Sequence, residues 1–199
     1  MMIRMLFALV FVAAPVLAQD PPQAPPAAVA PYNQGIAKYR SGDLDGAIAS
    51  FDRAIEIFPD YWKALNSRGV AKRDKKDLDG ALRDYSKAIQ INPKNAGAYS
   101  NRGVALNDKG DQDGALADYA TALTLDPLDY YTYNNRGAVR TDRKDFDGAI
   151  ADFTRALELN PKYAEAYSNR AVAKRRKGDT AGADADRAMA LQLNPKLAR

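Results

Sequence analysis

Residues 77–93 read DLDGALRDYSKAIQINP, and the pattern returns at residues 111–127 as DQDGALADYATALTLDP and at residues 145–161 as DFDGAIADFTRALELNP. Each copy ends in proline, and successive closing prolines are 34 residues apart. Residues 43–59 and 179–195 carry two further copies of the same pattern. A fixed period of this length is typical of proteins built from stacked structural repeats.

Each repeat predicts two helices and a stop. In the second repeat, apolar residues recur with helical spacing over residues 62–75 and again over residues 78–91. Asp77 lies where it can cap the second helix, and Asp79 lies in the first turn, where the helix dipole favours an acid. Pro93 prevents that helix from continuing. One unit is therefore a helix, a tight turn, a second helix and a stop.

Small and large residues alternate in a way that predicts close helix packing. Glycine recurs on first helices at Gly69, Gly103 and Gly137, and alanine recurs on second helices. Large residues return with the same period, on second helices as Phe51, Tyr85, Tyr119 and Phe153. A two-helix unit cannot bury its apolar face alone, so the units must stack.

This skeleton of glycine, alanine, aromatic residue, alanine and proline resembles the tetratricopeptide repeat (TPR). The resemblance implies an all-α fold, a right-handed superhelical α-solenoid of five helix-turn-helix units whose first helices line a concave groove. It covers Ala28 to Pro195, and the TPR domain is predicted to span residues 31–195. The units are residues 28–61, 62–95, 96–129, 130–163 and 164–197.

Three departures from the repeat pattern carry predictions. Pro31 predicts that the first helix begins late. The family's tyrosine late in the first helix is replaced by a basic residue in four units, and we expect its stem to cover apolar surface while its charge reaches water. These residues are Lys38, Lys72, Arg140 and Lys174, with Leu106 as the exception. Asp184 and Arg187 replace apolar residues on the last helix, which predicts that this helix forms the solvent-facing cap.

The first eighteen residues resemble a targeting segment for export. A basic start, an apolar run and small residues ending at Ala18 are typical of a secretory signal peptide, with cleavage after Ala18. The alternative is an uncleaved membrane anchor, for which the run is short. Residues 19–30 are rich in proline and alanine and predict an extended linker. We therefore expect an exported protein, in the bacterial periplasm, with no membrane span after cleavage.

Composition argues against most catalytic classes. The chain has no cysteine and no histidine, and neither a nucleophile–base pair nor a glycine-rich phosphate loop is visible. The turn aspartates lack the spacing of a calcium loop. The net charge is only +4, with basic and acidic residues interleaved, which disfavours nucleic-acid binding. We predict a protein that is not an enzyme and uses no cofactor or metal.

Arginine and aspartate repeat together with the 34-residue period. The first unit lacks both, with Gln34 and Ser50 at the two matching places. This joint absence favours structural ion pairs over an anion-binding stripe. The paired residues are Arg68, Arg102, Arg136 and Arg170 with Asp84, Asp118, Asp152 and Asp186.

Polar side chains at recurring places of the first helices are the candidate peptide-binding residues. The resemblance places them in the groove, where side-chain amides can bond a peptide backbone without reading its sequence. The alternative is that they simply face water. The candidates are Asn33, Asn66, Ser67, Asn101, Asn134, Asn135, Asn169, Arg73, Asn107 and Arg175.

Further along the groove, the thirteenth place of the units reads Arg40, Asp74, Asp108, Asp142 and Arg176, so the middle is acidic and the ends are basic. The basic clamp that some family members use for a terminal carboxylate is absent. The sequence favours an exported scaffold that binds a peptide segment of a partner protein. A structural component that self-associates through its convex face is the alternative.

Overall fold

The computed structural model describes residues 23–198, and this part of the chain is all-helical. The signal-peptide prediction lies outside it. The helices are α1 (Pro26–Arg40), α2 (Leu44–Ile57), α3 (Trp62–Asp74), α4 (Leu78–Ile91), α5 (Ala96–Asp108), α6 (Gln112–Leu125), α7 (Tyr130–Asp142), α8 (Phe146–Leu159), α9 (Ala164–Lys177) and α10 (Thr180–Leu193). A short 3-10 helix, Pro195–Ala198, follows α10.

The ten helices form five hairpins that stack into an α-solenoid. Each helix packs on its predecessor and its successor along the chain. First helices of neighbouring units also contact one another, from α1 to α3 and onward to α9, whereas second helices lie further apart. The first helices therefore line the concave face of the curved stack.

An aspartate begins every second helix. The carboxylates of Asp43, Asp77, Asp111, Asp145 and Asp179 each accept a hydrogen bond of 2.9–3.0 Å from the backbone N–H of the glycine three residues later. This bond satisfies one of the donors that a helix start leaves open. Capping therefore accounts for these turn aspartates.

The glycines of the first helices make room for an aromatic ring from the same hairpin. Phe51, Tyr85, Tyr119 and Phe153 are all at most 1% exposed. A Cβ at Gly35, Gly69, Gly103 or Gly137 would lie 2.5–2.8 Å from a carbon of the facing ring. In the fifth unit Ala171 replaces the glycine, and Arg187 replaces the ring. The small and the large residue thus form one packing unit.

The prediction for the start of the first helix is wrong. Helix α1 begins at Pro26 and includes Pro31, so residues 26–30 are helical and not an extended linker. Proline is tolerated in the first turn, where its missing N–H would lack a partner anyway, and Pro31 removes only one further helical bond. In return Ala28 is fully buried against Ala54 and Tyr61. That burial explains why the helix extends through the proline-rich segment.

Helix α10 packs on α9 and on the 3-10 helix, while Asp184 and Arg187 are exposed. The described part of the chain contains no helix that is both long and apolar enough to cross a membrane.

Candidate functional site

An apolar row runs along the concave face at the ninth place of every unit. Its first four members are half-buried, and the last is 44% exposed. The row consists of Ile36, Val70, Val104, Ala138 and Val172. A surface of this kind can bury apolar side chains of a bound segment.

The predicted asparagines form bonds between neighbouring first helices. The Asn101 side chain donates to Oδ1 of Asn66 at 3.2 Å, and the Asn169 side chain donates to Oδ1 of Asn134 at 2.9 Å. Asn134 is buried. These four residues therefore tie unit two to unit three and unit four to unit five.

Asn135 is different because its neighbour is a serine. Ser100 occupies the place of Asn66 and Asn134, and its hydroxyl is bonded to that of Thr132 at 2.5 Å. Within residues 23–198 the side chains of Asn135, Asn33 and Ser67 make no hydrogen bond. The half-buried Asn135 amide thus keeps its donors and its acceptor for a ligand.

The two predicted arginines of the groove are already paired, and Asn107 is not. Arg73 donates to the neighbouring Asp74 at 3.0 Å, and Arg175 is bonded to Asp184. Asn107 is half-buried, and its side chain forms no hydrogen bond within the described residues. The arrangement leaves amides, rather than cations, as the available polar groups.

Aspartates at the thirteenth place differ in how far they are engaged. Asp74 accepts a hydrogen bond of 2.6 Å from the Tyr39 hydroxyl, and this bond, with burial, raises the pKa of Tyr39. Asp142 lies 3.8 Å from Arg176. Asp108, between them, is exposed and forms no ion pair with any described residue. Arg73 interacts electrostatically with Asp108 but is bonded to Asp74, so the centre of the groove carries a carboxylate without an ion pair of its own.

A pocket of about 130 Å³ opens in the groove between units four and five. Its walls include Thr141, Asp142, Phe153, Asn169, Val172 and Arg176. The aromatic ring that packs on the first-helix glycine therefore reaches the groove floor. This pocket shows which repeat places meet at a junction between two units.

The structure brings together all four predicted Arg–Asp pairs. Each arginine spans its aspartate with two hydrogen bonds, from Nε at 2.7–2.9 Å and from Nη2 at 2.5–2.8 Å. The aspartates are 3–6% exposed. The pKa of Asp186 is lowered: burial would raise it, but bonds from Arg170 and Lys174 outweigh burial. This pair therefore stabilises the fold above the ordinary aspartate pKa, and its contribution is lost as the pH falls through the lower folded-state value.

The basic residues late in the first helices do not send their charges to water, as the sequence had suggested. Lys72, Arg140 and Lys174 each bind the buried aspartate of their own unit at 2.8 Å. A buried carboxylate has acceptor sites left after one arginine, and a second cation further offsets its lost hydration. Lys38 is the exception among the basic residues, and it agrees with this reason. It is exposed in the unit that has Ser50 in place of the buried aspartate.

A further row of ion pairs was missed at the sequence level. A basic residue at the C-terminal end of the first helix of one unit reaches the first turn of the second helix in the preceding unit, always 30 residues earlier. The pairs are Lys75–Asp45, Lys109–Asp79, Arg143–Asp113 and Lys177–Asp147. Both partners recur with the 34-residue period, which is the signal that could have revealed them. Because the pairs are exposed, each contributes little to stability.

Two buried tyrosine hydroxyls below the groove were also missed. Burial raises the pKa of Tyr85 and of Tyr119. The charges of Arg73 and Asp74 act on Tyr85, and those of Asp108 and Arg73 act on Tyr119. The hydroxyl of Tyr85 is buried and has no hydrogen-bond partner among the described residues. Two of its charged neighbours, Arg73 and Asp74, are residues of the first-helix face, so the hydroxyl lies near the groove.

Comparison with known families identifies the fold. Models of the tetratricopeptide repeat match residues 32–61, 96–127, 130–163 and 153–185, and a TPR repeat model matches residues 71–110. Together the matches span more than half of the 199 residues. The chain therefore belongs to the tetratricopeptide-repeat family, whose members typically act as non-catalytic interaction scaffolds.

Solved structures show the same architecture. MamA (residue 41 to its end) from Desulfovibrio magneticus RS-1 is similar with a TM-score of 0.75 at 17% identity, over 89% of this chain and 100% of that one. A thermophilic TPR protein from Thermus thermophilus gives 0.70 at 26%, over 85% and 93%. YrrB, described as a TPR protein with an unusual peptide-binding site, gives 0.66 at 21%, over 84% and 87%. No curated protein matches the sequence significantly.

Proposed function

We propose that the chain is an exported, non-catalytic adaptor that binds a peptide segment of a partner protein along its concave groove. The observation that carries this proposal is the apolar row beside Asn135 and Asn107, whose side-chain amides make no hydrogen bond within residues 23–198. An amide offers both a donor and an acceptor, which suits the backbone of a bound segment. The peptide-binding site described for YrrB, which shares the fold, supports this use of a TPR array.

The groove is tested by recovering the partner with purified protein from the compartment in which the chain resides. Asn135→Ala and Asn107→Ala should each reduce the recovered partner, because neither removes a hydrogen bond within the fold. Asn101→Ala is a less direct probe, since it also breaks the bond to Asn66. Gln90→Ala, an exposed change on α4 outside the groove, is the matched control. Unchanged recovery with both groove variants would refute the assignment.

Export rests on the pattern of residues 1–18 and is tested separately. Cell fractionation followed by N-terminal sequencing should find the protein outside the inner membrane, with Gln19 as its first residue. An intact Met1 in the membrane fraction would instead support an uncleaved anchor.

Self-association in a structural role is the second candidate. The sequence suggested the convex face for it, but the most exposed large apolar side chains lie at the edge where α6 leads into α7: Leu128 is 65% exposed and Tyr131 is 55% exposed. Contiguous exposed apolar surface marks association sites. Native mass measurement should show a monomer if the groove is the working surface. A stable oligomer that Leu128→Asp disperses would favour the structural role.

A further inference from the structure

The residues that line the pocket between units four and five have counterparts at the other junctions, because the chain repeats every 34 residues. A shift of two periods moves Phe153 to Tyr85, Asp142 to Asp74 and Arg176 to Asp108. A shift of one period moves Phe153 to Tyr119. The two central junctions thus share Asp108 and have a hydroxyl on the floor. The junction between units three and four has no arginine on its wall, whereas Arg73 takes the place of Thr141 between units two and three.

The hydroxyls of Tyr85 and Tyr119 are not needed for packing. Phe51 and Phe153 occupy the same repeat place and are equally buried against the same glycine position. Burying a hydroxyl without a hydrogen-bond partner destabilises a fold, and Tyr85 is in that state among the described residues. The rest of the fold gives this hydroxyl no role, so its role lies with something that enters the groove.

Among the charged side chains around these hydroxyls, one negative charge has no ion-pair partner. Arg73 and Asp74 are bonded to each other, and Arg176 lies beside Asp142. The neighbouring Lys109 is occupied by Asp79 at 2.5 Å. Asp108 forms no ion pair among the described residues, and Arg73, whose charge interacts with it, is bonded to Asp74. The groove centre therefore complements a single positive charge.

We propose that the centre of the groove binds one lysine or arginine side chain of the partner segment, held by Asp108 over the hydroxyls of Tyr85 and Tyr119. The hydroxyls accept hydrogen bonds from the cation, and Val70 and Val104 contact the apolar side chains on either side of it. This inference rests on the proposed function, since it names the chemistry of the segment that the groove takes.

The test selects short random peptides displayed on phage against the immobilised full chain. Peptides from the wild-type protein should share a lysine or arginine at one position between apolar residues. Replacing that residue by norleucine should weaken binding to the wild type about tenfold, the lower range for a close charge pair. The same replacement should have little effect with Asp108→Asn, while Asp60→Asn, an exposed change of equal charge outside the groove, should behave as wild type.

A groove-filling variant separates the two ideas. Ala138→Trp inserts a large ring into the apolar row, and Ala151→Trp does the same on the exposed side of α8 as its control. If the selected peptides are lost with Ala138→Trp but share no basic residue, the cation site is wrong and groove binding stands. If no peptide is selected, or none is sensitive to Ala138→Trp, both proposals are overturned.

The hydroxyls are tested through stability and binding together. Tyr85→Phe should raise the urea midpoint of the free protein, because it removes an unpartnered buried group, and should weaken the lysine peptide several-fold. An unchanged affinity for the lysine peptide together with a raised urea midpoint would show that the Tyr85 hydroxyl is not part of the binding site.

Discussion

Replacing Arg102 by glutamine should destabilise the array more than replacing Arg136 by glutamine. Asp118 is 6% exposed, and Arg102 is the only cation that contacts it in the described part of the chain. Asp152 has Arg136 and also Arg140, whose Nη1 lies 2.8 Å from its Oδ2. The same substitution therefore leaves Asp118 without a cation and leaves Asp152 paired with Arg140.

The magnitude follows from the hydrogen bonds that are lost. Arg102 donates at 2.7 and 2.8 Å to a nearly buried carboxylate. A hydrogen bond to a charged group contributes about 1.5 kcal/mol, so the loss is about 3 kcal/mol, the low end for breaking a buried pair. The low end applies because the Arg102 side chain is 25% exposed. For Arg136→Gln we expect about half of this loss of stability, since Arg140 still forms an ion pair with Asp152.

The first unit supplies the compensated variant. Gln34 and Ser50 occupy the places of the arginine and the aspartate there, and the unit still folds as a helical hairpin. Copying them as Arg102→Gln with Asp118→Ser should cost less than Arg102→Gln alone, because no buried charge is stranded. Urea unfolding followed by circular dichroism measures all variants. Equal costs for the two arginines, or a double variant that costs the sum of its singles, would refute the reasoning.

Three further predictions use places where the repeats differ. Gly97→Ala should stabilise the protein by about 0.5–1 kcal/mol, because its Cβ would make only an ordinary contact, 3.5 Å from Oδ1 of Asn95. Gly103→Ala should destabilise it by about 1–3 kcal/mol, because its Cβ would lie 2.7 Å from a buried ring. Urea unfolding midpoints measure both changes, and equal shifts would contradict the packing argument. Lys76 and Gly110 occupy the same repeat place with left-handed backbone, at φ of 69° and 89°. Lys76→Gly should therefore stabilise the protein by about 1 kcal/mol, and Gly110→Ala should destabilise it by about 1 kcal/mol, in the same assay. A loss of stability with Lys76→Gly would contradict backbone strain at Lys76. Burial raises the pKa of Tyr163 to about 12. The contribution of the neutral hydroxyl to the free energy of unfolding is therefore complete below pH 10 and is lost as the pH rises toward 12. Tyr163→Phe should flatten the alkaline decline of the free energy of unfolding, and an unchanged slope would show that Tyr163 does not contribute.

The sequence predicted the hairpins because both of its strongest signals are local. Proline at the end of each unit and aspartate at the start of each second helix set the bounds of α4, α6 and α8 through backbone hydrogen bonding alone. The Arg–Asp pairing could be inferred because both partners vanish together in the first unit. Where two residues change together between repeats, a contact can be predicted without coordinates.

Tertiary burial and side-chain competition set the rest. Pro31 and the proline-rich residues before it argued against a helix, yet the burial of Ala28 against Ala54 and Tyr61 carries α1 through them. The place of Lys72 resembles an exposed lysine in sequence, and only the position of the buried Asp84 shows that its charge turns inward. The asparagine row looked uniform, but Ser100 leaves Asn135 as the amide without a neighbour to bond.

Comparison between repeats also separates what the fold needs from what it merely carries. A glycine always faces an aromatic ring, and where Ala171 replaces the glycine, Arg187 replaces the ring, so that pair is structural. Both tyrosine and phenylalanine occur at the ring position, and the hydroxyl of Tyr85 has no partner among the described residues. A hydroxyl that is present in some units only, is costly where it is buried and is matched by nothing in the described part of the chain is the kind of group that a ligand would engage. For this reason the proposed cation site lies between Asp108 and the two tyrosines.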